Sequence, residues 1–193
     1  LGREDYDAIS TIAIDNSNNI YIGGFFRGNN VDFDPSSGTT TLTCNGFTGG
    51  GSSTYGGDGF VAKYSSAGAF QWVLQLGTPY WVESVESLAI DNGGNVLVGG
   101  IFKDVLDFDP SSGTTNLDAN TNGTAFLAKY TANKQLLWAF NFGKSGIAAT
   151  DNIVQGITVD NNNDIYIAGF VQSANNIDFD PSSNTVNLVP NGP

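Results

Sequence analysis

One twelve-residue phrase occurs three times along this chain, and no other feature constrains the fold as strongly. Its copies are VDFDPSSGTTTL, LDFDPSSGTTNL and IDFDPSSNTVNL, and they begin at positions 31, 106 and 177, which are 75 and 71 residues apart. A sequence that repeats along the chain folds into repeated structural units that stack on their neighbours. The chain is therefore predicted to be a repeat protein rather than a single irregular domain.

Two longer phrases flank the first two copies, and one of them precedes the third. The phrase STIAIDNSNNIYIGGFF, from Ser10, recurs in related form from Glu86 and Gln155, and GFVAKYSSAGAFQWVLQLG, from Gly59, recurs from Ala125. Each phrase holds two alternating apolar runs joined by Asp, Asn, Ser or Gly, which is the pattern of a β-hairpin. Helical spacing never persists across a third turn, so almost no helix is expected.

Two hairpins form one four-stranded antiparallel unit, and such units in series are the blades of a β-propeller. The predicted fold class is therefore all-β, with about two and a half blades in this chain. Glycines at 23–24, 99–100 and 169 lie late in each second strand. There they would allow neighbouring backbones to approach closely.

The repeat also predicts the organisation of the chain. Blade 1 is placed at residues 1–77 with a Gly/Ser-rich insertion at 44–58, blade 2 at 78–143, and the first half of blade 3 at 144–193. The insertion is expected to be an exposed excursion. Closed propellers have about four to eight blades, so we expect either a fragment of a longer protein or an assembling subunit. A half-blade would leave a strand edge that invites pairing.

Charge and composition exclude several classes of function. Nineteen acidic residues against seven basic ones give a net charge of −12, which disfavours nucleic acid and anionic lipid as partners. The chain has no histidine, which excludes a Ser-His-Asp triad and a histidine-based zinc site within it. Cys44 is the single cysteine, so no intrachain disulfide forms. No apolar run is long enough for a membrane span.

The repeated phrase itself is open to two interpretations. In a strand its two aspartates point to one face, where Ca²⁺ could bridge them. The alternative is a local turn, in which Asp34 caps, Pro35 presets φ and Gly38 supplies a positive φ, while Phe33 packs inward. The turn does not explain the first aspartate of each pair. The candidate calcium ligands are Asp32, Asp34, Asp107, Asp109, Asp178 and Asp180.

Aromatic residues give a second, weaker candidate site. Trp72 and Trp138 occupy matching positions and are expected in the core between blades. In contrast, the segment TPYWVES has no counterpart in the other repeats. Its residues Tyr80, Trp81 and Glu83 are a candidate exposed ligand patch.

The residues FVAKYSSAGAFQW followed by LAIDNGGNVLVGG resemble the bacterial SBBP repeat and, more loosely, NHL-type blades. The resemblance covers essentially the whole chain. It implies a β-propeller fold and a secreted, extracellular or cell-surface bacterial protein, and it implies no activity.

These observations favour a non-enzymatic extracellular module for adhesion, scaffolding or filament assembly, with Ca²⁺ as the one candidate cofactor. Its partners would be a protein or glycan at the cell surface, or further copies or blades of the same protein. The alternative is a carbohydrate-binding or carbohydrate-active propeller that uses carboxylates and aromatic platforms. Glycoside hydrolysis needs one asymmetric acid pair, whereas the acid pairs here are repeated, and no catalytic residues are assigned.

Overall fold

Every regular element in the described part of the chain is a β-strand. The computed structural model describes residues 7–45, 56–79, 81–119, 123–142, 152–170, 177–180, 184 and 186–188. The strands are β1 (Ala8–Ile14), β2 (Ile20–Phe26), β3 (Val31–Asp32), β4 (Thr41–Leu42), β5 (Asp58–Tyr64), β6 (Phe70–Leu76), β7 (Ser84–Ile90), β8 (Val96–Phe102), β9 (Val105–Asp107), β10 (Asn116–Asp118), β11 (Thr124–Tyr130), β12 (Leu136–Phe142), β13 (Ile153–Val159), β14 (Ile165–Phe170), β15 (Ile177–Asp178) and β16 (Asn187–Leu188).

These strands form blades. Two four-stranded antiparallel sheets have the orders β1-β2-β5-β6 and β7-β8-β11-β12, and β13 pairs with β14 in a third sheet. Each DFDP phrase forms a small hairpin of its own, namely β3–β4, β9–β10 and β15–β16. The predicted all-β fold with four-stranded blades is therefore confirmed, and the sheets do not close into a barrel. The boundaries at residues 77 and 143 stay a prediction.

The predicted insertion at 44–58 is only partly described, because residues 46–55 lie outside the described residues. Its two ends are not exposed. Cys44 and Asp58 are both buried, at 3% and 0% relative exposure.

Blades stack through the first strand of each sheet. Strand β7 packs over β1 and β2, and β13 packs over β7 and β8. A β-carbon on Gly23 would lie 2.6 Å from Cγ1 of Val85, and one on Gly99 would lie 2.6 Å from Cγ1 of Val154. Glycine at these positions makes room for a branched side chain of the next blade, so the predicted close approach is confirmed.

The following glycine serves the blade's own sheet. A β-carbon on Gly24 would collide with the carbonyl oxygen of Ala8 on the paired strand. Gly100 and Gly169 meet the first strands of their own sheets in the same way. In each blade the register shifts near this contact, because β1, β7 and β13 each contain a bulge.

A side-chain hydroxyl joins each blade to the next. Thr11 Oγ1 accepts a hydrogen bond of 3.1 Å from the backbone N–H of Leu88. Ser87 Oγ accepts an equivalent bond of 2.9 Å from the N–H of Ile157. The repeat thus places a backbone donor of one blade opposite a hydroxyl of the preceding blade.

Blade 3 departs from this arrangement. In blade 1 the hydroxyl residue faces a glycine across the strand pair, since Thr11 is opposite Gly23. In blade 3 the corresponding pair is Gly156 opposite Ala168. The methyl group has moved to the second strand and the hydroxyl is missing, so this face of blade 3 differs from those of blades 1 and 2.

We predict that Gly23→Ala destabilises the chain by about 1–3 kcal/mol, because the new methyl group overpacks the junction between blades. Gly156→Ala is the matched control, since its β-carbon would meet only Ala168 Cβ, at an ordinary 3.6 Å. Urea denaturation of both variants measures the difference. Equal midpoints would contradict the assigned contact.

Candidate functional site

The first aspartate of each DFDP phrase holds its hairpin together. Asp32 Oδ1 accepts hydrogen bonds from the backbone N–H groups of Asp34, at 3.0 Å, and Thr40, at 2.9 Å. Asp32 therefore joins the two sides of the β3–β4 loop through one carboxylate oxygen. These two hydrogen bonds hold the pKa of Asp32 below its usual range, and the bond from Thr40 has the larger effect.

The second aspartate caps the turn, as the sequence predicted. Asp34 Oδ1 accepts a hydrogen bond of 2.9 Å from the N–H of Ser36, and Ser36 Oγ accepts one of 3.0 Å from Gly38. Gly38 is not among the described glycines with a positive φ, so the φ predicted for it was wrong. A β-carbon on Gly38 would lie 2.6 Å from Asp34 Oδ2, so glycine is needed here to leave room for the carboxylate. The turn chemistry is complete without any further group.

The second copy reproduces this geometry. Asp107 Oδ1 accepts from Asp109 at 3.0 Å and from Thr115 at 2.8 Å. The hydrogen bond from Ser111 to Asp109 lowers the pKa of Asp109. In the third copy the side chain of Asp178 is not described, and Asp180 is half-buried.

The calcium prediction can be compared with these contacts. The four described carboxylates of the first two copies each use Oδ1 to accept backbone N–H groups. Among the described residues no three His, Cys, Asp or Glu side chains are grouped to hold a metal ion. A cation would have to be held by the Oδ2 atoms together with backbone or water oxygens. Calcium binding stays a prediction.

The phenylalanine of the phrase anchors the hairpin to its own blade. Phe33 is 2% exposed, and its ring centroid lies 5.4 Å from that of Phe26 and 5.0 Å from that of Phe60. Tyr64, at the end of β5, donates a hydrogen bond of 2.9 Å to the Phe33 carbonyl. Inward packing of Phe33 is thus confirmed. The second blade repeats these contacts with Phe102, Phe108, Phe126 and Tyr130.

The second DFDP hairpin also reaches the preceding blade. Leu106 and Phe108 belong to one buried cluster with Leu74 and Leu76 of β6. A surface cleft is lined from both sides, by Gln75 and Gly77 of the first blade and by Leu106 and Asp107 of the second. The repeated phrase therefore lies at the junction between blades.

The predicted patch of Tyr80, Trp81 and Glu83 is not a single exposed surface. Tyr80 lies outside the described residues. Trp81 is half-buried, with Lys103 Nζ 5.1 Å from its ring centroid. Glu83 is 1% exposed, so the expectation that it lies on the surface was wrong. Ligand binding by the other two residues stays a prediction.

Glu83 is buried because it closes the end of a strand pair. Its carboxylate accepts hydrogen bonds from Thr78 N at 2.9 Å and Thr78 Oγ1 at 2.8 Å, and from the backbone of Lys103. Asp7 has the corresponding role in blade 1, where its Oδ1 accepts from Arg27 N at 2.9 Å. Glu83 and Asp7 are therefore equivalent positions of the repeat, which the sequence alignment did not reveal because the two residues differ.

A second buried acid lies near Glu83, and sequence reasoning missed it. Asp58 accepts hydrogen bonds from Cys44 Sγ at 3.1 Å, from Asn45 N at 3.0 Å and from Gln75 Nε2 at 2.6 Å. Burial raises the pKa of Asp58. Burial also raises the pKa of Glu83 to about 7, and the charge of Asp58 adds to that rise. The signal available in the sequence was that Cys44 and Asp58 are the first and last residues of the insertion, where its two ends must come together.

Lysine and tryptophan at repeat positions connect the blades. Lys63 Nζ lies 5.0 Å from the ring centroid of Tyr21, and both Lys63 and Trp72 donate to the carbonyl of Ala132 in the next blade. Lys129 instead forms a 2.7 Å ion pair with Asp91. The inter-blade position predicted for Trp72 is confirmed.

The Asp-Asn turns are structural, as expected. Asp15 Oδ1 accepts from the N–H groups of Ser17 and Asn19, both at 2.9 Å. Asp91 and Asp160 make the same contacts two and four residues ahead. These are Asx turns that close the first hairpin of each blade.

Comparison with known proteins gives one informative similarity. The chain is 28% identical over 192 residues to an uncharacterized WD repeat-containing protein of Acanthamoeba polyphaga mimivirus, across 88% of this chain and 13% of the relative. No protein-family model matches. The similarity and the four-stranded sheets agree on a β-propeller-type repeat protein. The SBBP or NHL subtype stays a prediction. In the described residues, no helix is long and apolar enough to cross a membrane.

We predict that Asp32→Ala lowers the melting temperature by more than Asp32→Asn. Alanine removes the acceptor of two backbone hydrogen bonds, whereas asparagine keeps a neutral acceptor in the same place. Differential scanning calorimetry of both variants without calcium measures the turn contribution alone. Identical melting temperatures would mean that the two hydrogen bonds contribute nothing to stability.

A second prediction concerns pH. A carboxylic acid whose pKa is raised on folding stabilises the folded state fully below its unfolded pKa of about 4.5, and this stabilisation is lost as the pH rises towards about 7. The melting temperature of the chain should therefore fall between pH 5 and about pH 8. Glu83→Gln should flatten this pH dependence, because it removes a pH-dependent contribution on the order of 3 kcal/mol to the free energy of unfolding.

Glu86→Gln is the control, because it removes the same charge three residues away. It should retain the slope of the unsubstituted chain. If Glu83→Gln also retains that slope, Glu83 does not titrate in this range.

Proposed function

We propose that the chain is a non-enzymatic scaffold module that works by packing blade faces against other protein surfaces. The observation that carries this proposal is the face of β1 that points away from blade 2. Ile9, Ile12 and Ile14 are 55%, 62% and 60% exposed on one seven-residue strand. A row of exposed branched apolar side chains marks a protein-contact surface.

The orientation of β1 follows from its contacts. Thr11 bonds to Leu88, and Ala13 packs against the cluster shared with blade 2. Side chains alternate along a strand, so Ile12 and Ile14 face the opposite side. The register shift between Ile9 and Thr11 turns Ile9 to that same side. In the next blade the counterparts of Ile9 and Ile12 are Val85 and Leu88, which are 0% and 6% exposed. The β1 face therefore has the composition of a blade interface.

The β1 face does not fit the face of blade 3 that points away from blade 2. There Ala168 replaces the glycine that receives the branched side chain, and Gly156 supplies no hydroxyl. Head-to-tail stacking of two copies would place Ile9 against the Ala168 methyl group. Contact between the β1 faces of two copies avoids that collision and gives a closed twofold dimer.

An extracellular or cell-surface setting is part of the proposal. It is supported by the SBBP resemblance and by a net charge of −12, which suits contact with cations rather than with nucleic acid. Adhesion to a surface protein is the corresponding cellular role. The carbohydrate-active alternative loses support because Glu83, its candidate acid, is buried.

Sedimentation at increasing concentration tests the scaffold proposal. We expect the chain to form dimers, and Ile12→Asp to prevent them because a buried, unpaired carboxylate is costly. Val105→Asp is the matched control, since Val105 is an apolar residue on the β9–β10 hairpin that is 49% exposed. A chain that stays monomeric, or dimers that persist in Ile12→Asp, would refute association through the β1 face.

Calcium stabilisation is tested separately. If Ca²⁺ binds the DFDP hairpins of the folded chain, excess Ca²⁺ after chelation raises the melting temperature by mass action. Asp32→Asn with Asp107→Asn should reduce this increase while keeping the turn acceptors, because only the third hairpin then retains both carboxylates. An unchanged melting temperature in the unsubstituted chain would remove calcium from the proposal.

A further inference from the structure

The second strand of blade 3 has an open edge in the described part of the chain. Strand β14 pairs with β13 along one side only, whereas β2 and β8 are paired on both sides, with β5 and β11 completing their sheets. An unpaired strand edge presents a row of backbone donors and acceptors that can bind another strand. The two complete blades show which element occupies this place.

Apolar side chains are exposed beside this edge. Ile167 is 41% exposed, while Val98, at the same position of blade 2, is 0% exposed. Phe170 is 51% exposed, and its counterpart Ile101 is half-buried. In blade 2 the strands β11 and β12 complete the sheet beside these positions, whereas no described strand lies there in blade 3.

A tryptophan in blade 2 provides an independent observation. In blade 1, Trp72 Nε1 donates a 3.0 Å hydrogen bond to Ala132, in the β11–β12 turn of the next blade. Trp138 is the counterpart of Trp72 and stacks on Phe140 with centroids 5.3 Å apart. Among the described residues none accepts a hydrogen bond from Trp138 Nε1, whereas its counterpart Trp72 has an acceptor in the next blade. The turn of a docked hairpin of the same type would supply one.

The third DFDP hairpin offers another anchor. In blades 1 and 2 a tyrosine of the third strand donates to the phenylalanine carbonyl of the hairpin, from Tyr64 to Phe33 and from Tyr130 to Phe108. In the third hairpin Phe179 N donates to Val186 O at 3.0 Å, as Phe108 N does to its own hairpin. Phe179 is therefore placed to receive a tyrosine in the same way.

We propose that the β14 edge, with Trp138 and Phe179, is a docking site for an antiparallel β-hairpin of the type TAFLAKYTANKQLLWAFNF found at residues 124–142. The first strand of the hairpin pairs with β14, its turn carbonyl accepts from Trp138 Nε1, and its tyrosine donates to Phe179. This names a partner for the scaffold role at a second surface. It rests on contacts that the β1 face does not share.

A labelled synthetic peptide of residues 124–142 tests this site by fluorescence anisotropy against the full chain. We expect saturable one-to-one binding. Ile167→Asp, at an exposed position, should weaken it by roughly tenfold or more. Trp138→Phe, which keeps the ring and removes the donor, and a Tyr130→Phe peptide should each weaken it by roughly two- to tenfold. Ile12→Asp should bind the peptide like the unsubstituted chain, even if it no longer dimerises.

Absence of saturable binding, or equal binding by Ile167→Asp, would overturn the proposal. A dimer that Ile167→Asp abolishes and the peptide cannot displace would also overturn it, because a second copy would then occupy the edge. Loss of dimers in Ile12→Asp with peptide binding intact separates this site from the β1 face.

Discussion

The insertion of a branched side chain against a glycine of the preceding blade determines how this chain stacks. Val85 approaches Gly23 and Val154 approaches Gly99 equally closely. Beside each contact a hydroxyl, of Thr11 or Ser87, accepts one backbone N–H of the next blade and fixes the register. Because the contact needs a missing β-carbon, a larger residue at position 23 or 99 would push the next blade away. The exposed β1 face and the junction positions of the hairpins follow from it.

The DFDP hairpins add a second connection farther from the first strands. Each described hairpin is held to its own sheet by a phenylalanine cluster and a tyrosine hydroxyl, and the second also packs beside β6 of the preceding blade. The buried acids Asp58 and Glu83 lie at the same junction. Stacking and local turn chemistry are therefore coupled, and acidification that favours protonation of Glu83 acts on a contact between blades.

Local chemistry was readable from the sequence, and long-range contacts were not. Alternation and Asx turns gave the strands and hairpins, because these depend on neighbouring residues. The paired glycines predicted a close approach, but they did not identify Val85 and Val154 as the residues that make it. The role of Asp32 escaped because its second donor, Thr40, lies eight residues away across a turn. Glu83 was misplaced because its hydrogen-bond partners, Thr78 and the backbone of Lys103, come together only in the folded junction.

The exchange between Gly156 and Ala168 has a consequence for how such a chain can evolve. Duplication or recombination among copies is harmless only if the copies are interchangeable. Blade 3 is not interchangeable with blades 1 and 2, because in an interior position its alanine methyl would occupy the space that the next strand needs. A rearrangement that stacks a branched side chain directly on Ala168 is therefore disfavoured by packing.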